Sequence, residues 1–303
     1  MNKIVGIGAN VCDTLISVSH YPSEDTKLRA ESTIISGGGP CATGLVAASK
    51  LGEKVAYIGV LTDDNAGKFL MDDMKRYNVS TEYVSLYPGC TSFSSFVLLS
   101  GETASRTCVF HKGDIPPYKL TIDAKKQIAK ADVLMVDGNE MSAAVEGAKI
   151  ARENGTKVLY DAGGLYEGIE DLLSLTDILI PSEEFSLAHS GKDDVYEAAK
   201  WLYETYSPEV VVITRGKVGG VIYDGNAMKD YPAFTVDAVD TNGSGDVFHG
   251  AFAFCMAKCY DYYKACVFSS AVSALKCTKK GARSAVPSYD DVIEFLKERG
   301  TDV

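Results

Sequence analysis

The sequence has no apolar run long enough to cross a membrane. A spanning helix needs about 20 consecutive apolar residues, and no stretch of the 303-residue chain reaches that length. The N-terminal residues carry one positive side chain and two early glycines, without the long apolar stretch and cleavage site of a signal peptide. We therefore expect a cytoplasmic protein that does not bind membranes.

Basic residues are also scarce relative to acidic ones. The 30 Lys and Arg residues face 41 Asp and Glu residues, which gives a formal net charge of −11. Nucleic-acid affinity comes largely from neutralising phosphates with basic side chains. A nucleic acid is therefore not an expected partner, although a local set of backbone amides could still hold a small anion.

The usual metal-site and nucleotide-site motifs are missing as well. The chain has four histidines, and none of its eight cysteines forms a Cys-x-x-Cys pair, so a zinc site is not expected. In a reducing cytosol the thiols should be free. No Walker A sequence is present, so phosphate binding must rest on another glycine-rich turn.

Short apolar runs rich in Val and Ile alternate along the chain with amphipathic stretches. Continuously apolar runs are typical of parallel strands that are covered on both faces. This alternation predicts a doubly wound α/β sheet with helices on both faces. The predicted strands are residues 4–8, 55–60, 133–136, 158–161, 178–180 and 210–214, and the predicted helices include 42–51, 66–77, 143–153, 195–206, 245–258, 262–276 and 289–298.

Two segments, at about 12–36 and 90–112, break this alternation with strand-like patterns. The second contains a turn at Gly101 and has the pattern of a hairpin. Strand-like insertions of this kind suggest a small separate sheet. Such a sheet could be a lid over the carboxyl ends of the main strands, where ligands bind in open α/β folds. We expect a single domain over residues 1–303 with these two segments as lid insertions.

Residues 240–246 read Asp-Thr-Asn-Gly-Ser-Gly-Asp, and they lie between a strand-like stretch at 234–239 and an apolar helix. The small residues Gly243, Ser244 and Gly245 allow a tight turn whose amides point one way. A helix N-terminus behind them adds about half a positive charge, which makes an anion site suited to phosphate. Asp246, in the first helical turn, could accept the proton of a hydroxyl that attacks phosphorus. The alternative is that Asp246 only caps its helix.

These residues resemble the C-terminal signature of PfkB/ribokinase-like carbohydrate kinases, Asp-Thr-x-Gly-Ala-Gly-Asp, with Ser244 in place of Ala. The next residues, Phe-His-Gly-Ala-Phe at 248–252, are similar too. The resemblance implies a ribokinase-like doubly wound, mostly parallel sheet with a β-sheet lid. It also implies ATP and Mg²⁺ as cofactors, a small-molecule sugar as acceptor and a homodimer formed through the lid. Asp246 would be the catalytic base, and Gly243, Ser244 and Gly245 would form the anion hole.

A second glycine-rich segment, Gly-Gly-Gly-Pro-Cys-Ala-Thr-Gly at 37–44, is similar to the family's Gly-Gly-x-x-x-Asn segment, with Thr43 where the Asn stands. By itself it could be an ordinary strand-to-helix turn. Asp13 fits the family's early Asp, which accepts hydrogen bonds from sugar hydroxyls, although a lone Asp could also cap a loop. Asn139 is a weaker candidate of the same kind. The substrate-binding residues implied by the resemblance are Asp13, Gly38, Gly39, Thr43, Arg106 and Asp137.

Two further segments fit an ATP site. Residues 214–220, Thr-Arg-Gly-Lys-Val-Gly-Gly, resemble the family's Thr-x-Gly-x-x-Gly nucleotide loop, and they could also be a plain hairpin turn. Residues 181–185 stand where the family has Asn-x-x-Glu, but Phe185 replaces the Glu, so Glu184 or Glu183 would substitute. The predicted ATP-binding residues are Ser182, Glu184, Thr214, Gly216 and Gly219. The resemblance also implies a candidate K⁺ site, mostly of backbone carbonyls, at Asp240, Asn242, Lys276, Lys279 and Gly281.

Three other functions stay open at this point. A nucleoside kinase would use the same machinery. A non-catalytic sugar- or nucleotide-binding protein would suit the departures at Thr43, Ser182 and Phe185, but such a protein would not need Asp246. A dehydrogenase could use the Gly6-x-Gly8 pair, but Val11 occupies the place of the third glycine that a dinucleotide fingerprint requires.

Overall fold

A computed structural model describes residues 2–103 and 105–303. The strands are β1 (Ile4–Ile7), β2 (Val11–Val18), β3 (Ser32–Gly38), β4 (Val55–Thr62), β5 (Ser80–Tyr87), β6 (Ser94–Ser100), β7 (Arg106–His111), β8 (Val133–Val136), β9 (Lys157–Ala162), β10 (Ile178–Pro181), β11 (Val210–Thr214), β12 (Gly220–Tyr223) and β13 (Met228–Tyr231). The helices are α1 (Pro40–Lys50), α2 (Asn65–Arg76), α3 (Ile122–Ile128), α4 (Met141–Asn154), α5 (Ile169–Leu173), α6 (Glu183–Ser190), α7 (Val195–Tyr206), α8 (Ser244–Ala257), α9 (Tyr262–Cys277) and α10 (Tyr289–Glu298).

The larger sheet has nine strands within the described residues, in the order β13-β12-β11-β10-β9-β8-β1-β4-β5. The strands from β11 to β5 pair in parallel, whereas β12 and β13 form an antiparallel hairpin at one edge. The predicted mostly parallel sheet is confirmed. Because parallel strands need crossover connections, helices cover both faces of this sheet.

Alternate residues of the central strands enter two different cores. In β1, Ile4 packs in one core with residues of α1, α8, α9 and α10, whereas Val5 and Ile7 pack in the other with residues of α3, α4, α5 and α7. The neighbouring strand β8 divides in the same way, with Val133 on the first side and Leu134 on the second. This two-sided burial explains why the strands are continuously apolar in the sequence.

The two segments that interrupt the helix–strand alternation form a separate four-stranded sheet, in the order β3-β2-β6-β7. The strand β2 lies between β3, which is antiparallel to it, and β6, which is parallel to it. The hairpin expected near residues 91–111 is the pair β6–β7. We refer to these four strands as the lid sheet.

A pair of glycines lets α1 and α8 pack closely. A methyl group added at Gly250 of α8 would overlap the backbone of Gly44 in α1, and one added at Gly44 would lie 3.2 Å from the Asp246 carbonyl oxygen. Only glycine allows two helix backbones to approach in this way. The contact places the glycine-rich turns that precede these two helices on the same side of the sheet.

The strand-like stretch at residues 234–239 does not form a strand. Residues 232–239 leave β13 and run without pairing to another strand. Because β13 is already the edge of the sheet, Phe234 and Val236 pack onto the helical core instead, with the ring of Phe234 edge-on to that of Phe295. The Val239 amide donates to the Cys277 carbonyl of α9 at 2.8 Å. Among the described helices, none is both long and apolar enough to span a bilayer.

Candidate active site

The N-terminus of α8 has the form of an anion site. Gly243 precedes the helix with a φ of +75°, and Asp246 lies in the first turn. Asp240 holds the preceding loop, because its two carboxylate oxygens accept from the amides of Asn242 and Gly281, both at 2.8 Å. A methyl group added at Gly245 would meet nothing within 4 Å. The helix end is thus open to a phosphate, which its amides and dipole would stabilise.

Four carboxylates face one another around this helix end. Burial raises the pKa of Asp246, and Asp137 adds to the rise, whereas His249, Arg106 and Arg283 oppose it. Burial raises the pKa of Asp13, Asp137 and Asp161 as well. A raised pKa makes a carboxylate a better proton acceptor near neutral pH. Such a cluster is chemically suited to take up a proton.

A buried histidine, which the sequence did not single out as a site residue, lies one helical turn after Asp246. His249 Nδ1 lies 2.6 Å from the Gly245 carbonyl oxygen and 3.3 Å from Asp161 Oδ2, and Nε2 lies 3.0 Å from the Ile180 carbonyl oxygen. A neutral imidazole has one N–H and could donate to only one of the two carbonyls, whereas an imidazolium donates to both. Burial raises the pKa of Asp161 to about 7, and the contact with His249 limits the rise.

Two of the predicted substrate residues, Asp137 and Asp13, are fixed in different ways. Asp137, which is buried, accepts from the backbone amides of Ala9, Cys41 and Asn139 at 2.8 to 3.0 Å. Asp13 accepts from the Ser95 hydroxyl at 2.6 Å, and its carboxylate lies against Gly38, where a methyl group would overlap it. Asp137 therefore joins the turn after β1 to the start of α1, while Asp13 joins the lid sheet to the glycine turn.

The position of Thr43 predicted a contact with the substrate, but its side chain is directed into the protein. It is fully buried within α1, and its hydroxyl accepts from Arg283 Nε at 3.4 Å. Arg283 itself is only 1% exposed and lies among Asp73, Asn10 and the Gly38 carbonyl. Thr43 therefore points into the protein, towards a buried arginine that the sequence did not single out.

The predicted K⁺ residues do lie together, but a side-chain cation is already among them. Lys276 is fully buried, and its Nζ donates to the Asp240 carbonyl at 2.7 Å and lies 3.9 Å from Asp240 Oδ1. Burial lowers the pKa of Lys276, and the Asp240 carboxylate opposes that shift. Gly281 is joined to Asp240 through its amide, whereas the Lys279 side chain is exposed. A second cation beside this ammonium would be repelled by roughly 4 kcal/mol at 4 Å, so these residues do not fit an added K⁺.

The lid sheet touches the anion site through Arg106 at the start of β7. Its Nη1 donates to Asn242 Oδ1 at 3.2 Å, although the side chain remains exposed. Asn242 belongs to the loop that precedes α8. The predicted substrate-side arginine thus meets the phosphate-side loop.

The predicted ATP residues lie at the carboxyl ends of β10 and β11. Ser182 caps α6 by accepting from the Phe185 amide at 3.1 Å, and Thr214 Oγ1 donates to the Pro181 carbonyl at 3.4 Å. Glu183 pairs with Arg215 at 3.1 Å. Phe185, which has no carboxylate, is buried in the core, whereas Glu184 is exposed. Gly216 and Gly219 lie in the turn between β11 and β12 and have positive φ, so the hairpin reading of this loop also holds.

A cavity of about 290 Å³ lies between the carboxyl ends of β1, β4 and β8 and one end of the lid sheet. Its walls include the backbone of Gly8 and Ala9, the side chain of Asn139 and the charged residues Lys112 and Glu140. Asn139 also donates to Asp137. The cavity is therefore next to the fixed carboxylate of Asp137, and its wall contains a basic and an acidic residue, Lys112 and Glu140.

Comparison with known proteins agrees with this geometry. Residues 1–288 match the pfkB family of carbohydrate kinases. The chain is 27% identical to the ribokinase of Haemophilus influenzae, covering 96% of this chain and 97% of that protein. It is 27% identical to the 5-dehydro-2-deoxygluconokinase of Clostridium perfringens, covering 93% and 91%.

Solved structures of ribokinases have the same fold as this chain. The Thermotoga maritima ribokinase superposes with a TM-score of 0.87 at 26% identity, covering 98% of this chain and 100% of that one. The Arabidopsis thaliana ribokinase, solved with ribose and ATP, has a TM-score of 0.88 at 22% identity, covering 98% and 99%. The chain belongs to the pfkB family of carbohydrate kinases.

Proposed function

We propose that this protein transfers the γ-phosphoryl group of ATP to a primary hydroxyl of a sugar or sugar derivative, with Asp246 as the general base. The observation that carries the proposal is the position of Asp246, a buried carboxylate in the first turn of a helix whose N-terminus is an open anion site. Family membership supports the reaction class.

In this reaction the acceptor hydroxyl gives its proton to the Asp246 carboxylate as its oxygen attacks the γ-phosphorus. The bond between that phosphorus and the oxygen that bridges it to the β-phosphate breaks, and ADP leaves. The amides of Gly243, Ser244 and Gly245 stabilise the negative charge on the transferring group. The turn that contains Gly216 and Gly219 would hold the nucleotide. Mg²⁺, which takes most of its ligands from phosphates and water, would neutralise charge between the phosphates. The acceptor would lie against Asp13, Gly38 and Asp137.

A nucleoside kinase is the second candidate. The cavity next to Asp137 is lined in part by the aromatic side chains of Tyr57, Phe93 and Tyr118. Aromatic walls could stack on a flat base, whereas a free sugar needs fewer of them. A panel of ketoses, aldoses, sugar acids and nucleosides, each assayed for ADP release, separates the two candidates.

We further propose that the reaction does not need added K⁺. The support is the buried Lys276 ammonium, which donates to the carbonyl of Asp240 and lies near the carboxylate of the same residue. It supplies one unit of positive charge to the loop that precedes α8.

A homodimer formed through the lid sheet is a further part of the proposal, with a second copy of this chain as the occupant of one lid face. Ile35, Phe96 and Val109 stand in one cross-strand row with Thr14 between the first two, so they point to the same side. Their exposures are 59%, 54% and 65%. The rings of Phe93 and Phe110 pack against each other, with their centroids 5.9 Å apart. A flat apolar row on a sheet of this kind is suited to the same row of a second copy.

Asp246→Asn tests the proposed base. The amide keeps the size of the side chain but cannot accept the proton, so kcat should fall by roughly 10²- to 10⁴-fold while ATP affinity changes little. Asp290→Asn is the matched control, because Asp290 is also an acidic residue in the first turn of a helix, α10, and is exposed. Near wild-type turnover in Asp246→Asn would contradict the base assignment.

A further inference from the structure

Asn10 carries a buried hydrogen-bond donor that the fold leaves unused. The residue is 6% exposed and lines the cavity beside Asp137. Its amide nitrogen, Nδ2, has no hydrogen-bond partner within residues 2–103 and 105–303. A buried polar group without a partner is costly, so each such group in a native structure calls for an explanation. A ligand in the cavity that offers an oxygen would supply the missing partner.

The orientation of this amide follows from its neighbour. Arg283 Nη2 lies 3.0 Å from the other end of the Asn10 amide, Oδ1. A guanidinium only donates hydrogen bonds, so the atom that faces it must be the amide oxygen. A flipped amide would place two N–H donors against the guanidinium. The nitrogen is therefore held on the side away from Arg283.

Arg283 is well suited to hold the amide, because its own position is fixed on every side. Nη1 pairs with Asp73 at 2.7 Å, Nη2 also donates to the Gly38 carbonyl at 2.5 Å, and Nε donates to Thr43. The arginine is thus anchored to α2, to the end of β3 and to α1 at once. Its polar hydrogens are engaged by protein groups, so it acts on a ligand through Asn10 and Gly38 rather than directly.

We propose that Asn10 Nδ2 donates a hydrogen bond to an oxygen of the acceptor substrate, and that Arg283 is the positioning residue that holds the amide for this contact. The inference rests on the proposed kinase function and adds an acceptor contact to it. The donor selects an oxygen that can only accept, a carbonyl or a carboxylate, at that point of the substrate, and disfavours an ammonium or a bare methylene. Loss of the oxygen leaves the buried donor unpaired, and that penalty is the source of discrimination.

Asn10→Asp separates the binding role from a purely structural one. The aspartate keeps an oxygen towards Arg283 and strengthens that contact, but it places a second oxygen where the donor had been. We expect the KM for the acceptor to rise about tenfold to a hundredfold, with the KM for ATP changed less than about threefold. Asn154→Asp is the matched control, since Asn154 ends α4, is exposed and bonds only to the Ile150 carbonyl of its own helix.

Analogues of the acceptor that lack a single carbonyl or carboxylate oxygen identify the contact. One analogue should raise the acceptor KM of the wild-type enzyme about as much as Asn10→Asp does. The same analogue should raise the KM of the variant little further, because both changes remove the same contact. The double variant Asp73→Asn, Arg283→Gln keeps the buried charges balanced. It should raise the acceptor KM with a smaller effect on kcat, because the amide loses its fixed orientation.

The outcomes separate this inference from the proposed function. If the wild type phosphorylates an acceptor and Asn10→Asp leaves its KM within twofold, the inference is wrong and the kinase stands. If no acceptor in the panel is phosphorylated, the proposed function fails, and thermal shifts of wild type and Asn10→Asp with the same compounds decide the inference. A shift lost in the variant supports it, whereas equal shifts, or none in the wild type, overturn it.

Discussion

Replacing Lys276 with alanine should make this kinase dependent on an added monovalent cation. The ammonium is fully buried and donates to the Asp240 carbonyl at 2.7 Å. Without it, the Asp240 carboxylate keeps the amides of Asn242 and Gly281 but loses the ammonium that pairs with it. Breaking a buried ion pair costs about 3–5 kcal/mol. Because Asp240 is partly exposed, we expect roughly 2–4 kcal/mol of the unfolding free energy to be lost.

The same change should lower kcat, since Asp240 holds the loop that sets the N-terminus of α8. Alanine also leaves a space next to a carboxylate and a carbonyl oxygen, where K⁺ or NH₄⁺ can bind. The measurement is kcat for Lys276→Ala with 0 to 100 mM KCl, at constant ionic strength with tetramethylammonium chloride. We expect K⁺ to restore much of the lost kcat, whereas the wild type should respond less than about twofold, because a second cation would meet roughly 4 kcal/mol of repulsion.

Two further variants make the result specific. Lys276→Met fills the space with an uncharged side chain, so K⁺ should not restore its activity. Lys280→Ala removes an exposed lysine from the neighbouring loop and should behave as the wild type does. A wild-type enzyme that K⁺ stimulates many-fold, or a Lys276→Ala enzyme that is fully active without K⁺, would refute the assignment of Lys276 as the resident cation.

Three other changes test the pKa of Asp161, the close contact of α1 and α8, and the lid-sheet dimer. The pKa of Asp161 is raised from 3.8 to about 7 in the folded state, so the wild type should lose stability as pH rises from 4 to 8, relative to Asp161→Asn, by up to about 4 kcal/mol in chemical denaturation; a constant difference would contradict the shift. Gly250→Ala should cost about 1–3 kcal/mol and lower activity, because its methyl group would overlap Gly44; a wild-type melting temperature would show that the helices can separate. Phe96→Asp should halve the mass measured by light scattering, whereas Ile122→Asp, at a more exposed position (73% against 54%) outside the lid sheet, should not; equal masses for Phe96→Asp and the wild type would contradict the lid dimer.

The central strands and the long helices could be predicted because their signal is local. Burial on both faces makes β1, β8 and β11 continuously apolar, and the sequence shows that directly. The stretch at 234–239 places apolar residues at alternate positions, as a strand can, but it meets helices rather than a strand, since β13 already ends the sheet. Whether an apolar segment pairs or packs depends on neighbours that are distant in the sequence, and composition does not identify them.

The site residues also divide into those with a local signal in the sequence and those whose partners are distant in the sequence. Asp246 and its glycine turn were visible because helix, turn and carboxylate are adjacent in the sequence. Arg283 was missed because its partners Asp73 and Asn10 are 210 and 273 positions away, and a basic residue in a loop that also contains Lys279 and Lys280 resembles an exposed one. Lys276 did leave a signal that could have been used: it continues the buried positions Phe268 and Val272 of α9 at intervals of four residues.

The buried cations resolve an apparent conflict between the charge of the protein and its ligand. A chain with a net charge of −11 and four carboxylates around its anion site should repel ATP. Lys276 and Arg283, however, are held inside the protein, where each interacts with the charge of Asp246 and where the low dielectric makes their charges act more strongly than surface charges do. Arg106 differs from both, because it lies on the lid sheet and is exposed. Its contact with Asn242 ties the lid to the phosphate side of the site, so any movement of the lid sheet also changes the charge next to Asp246.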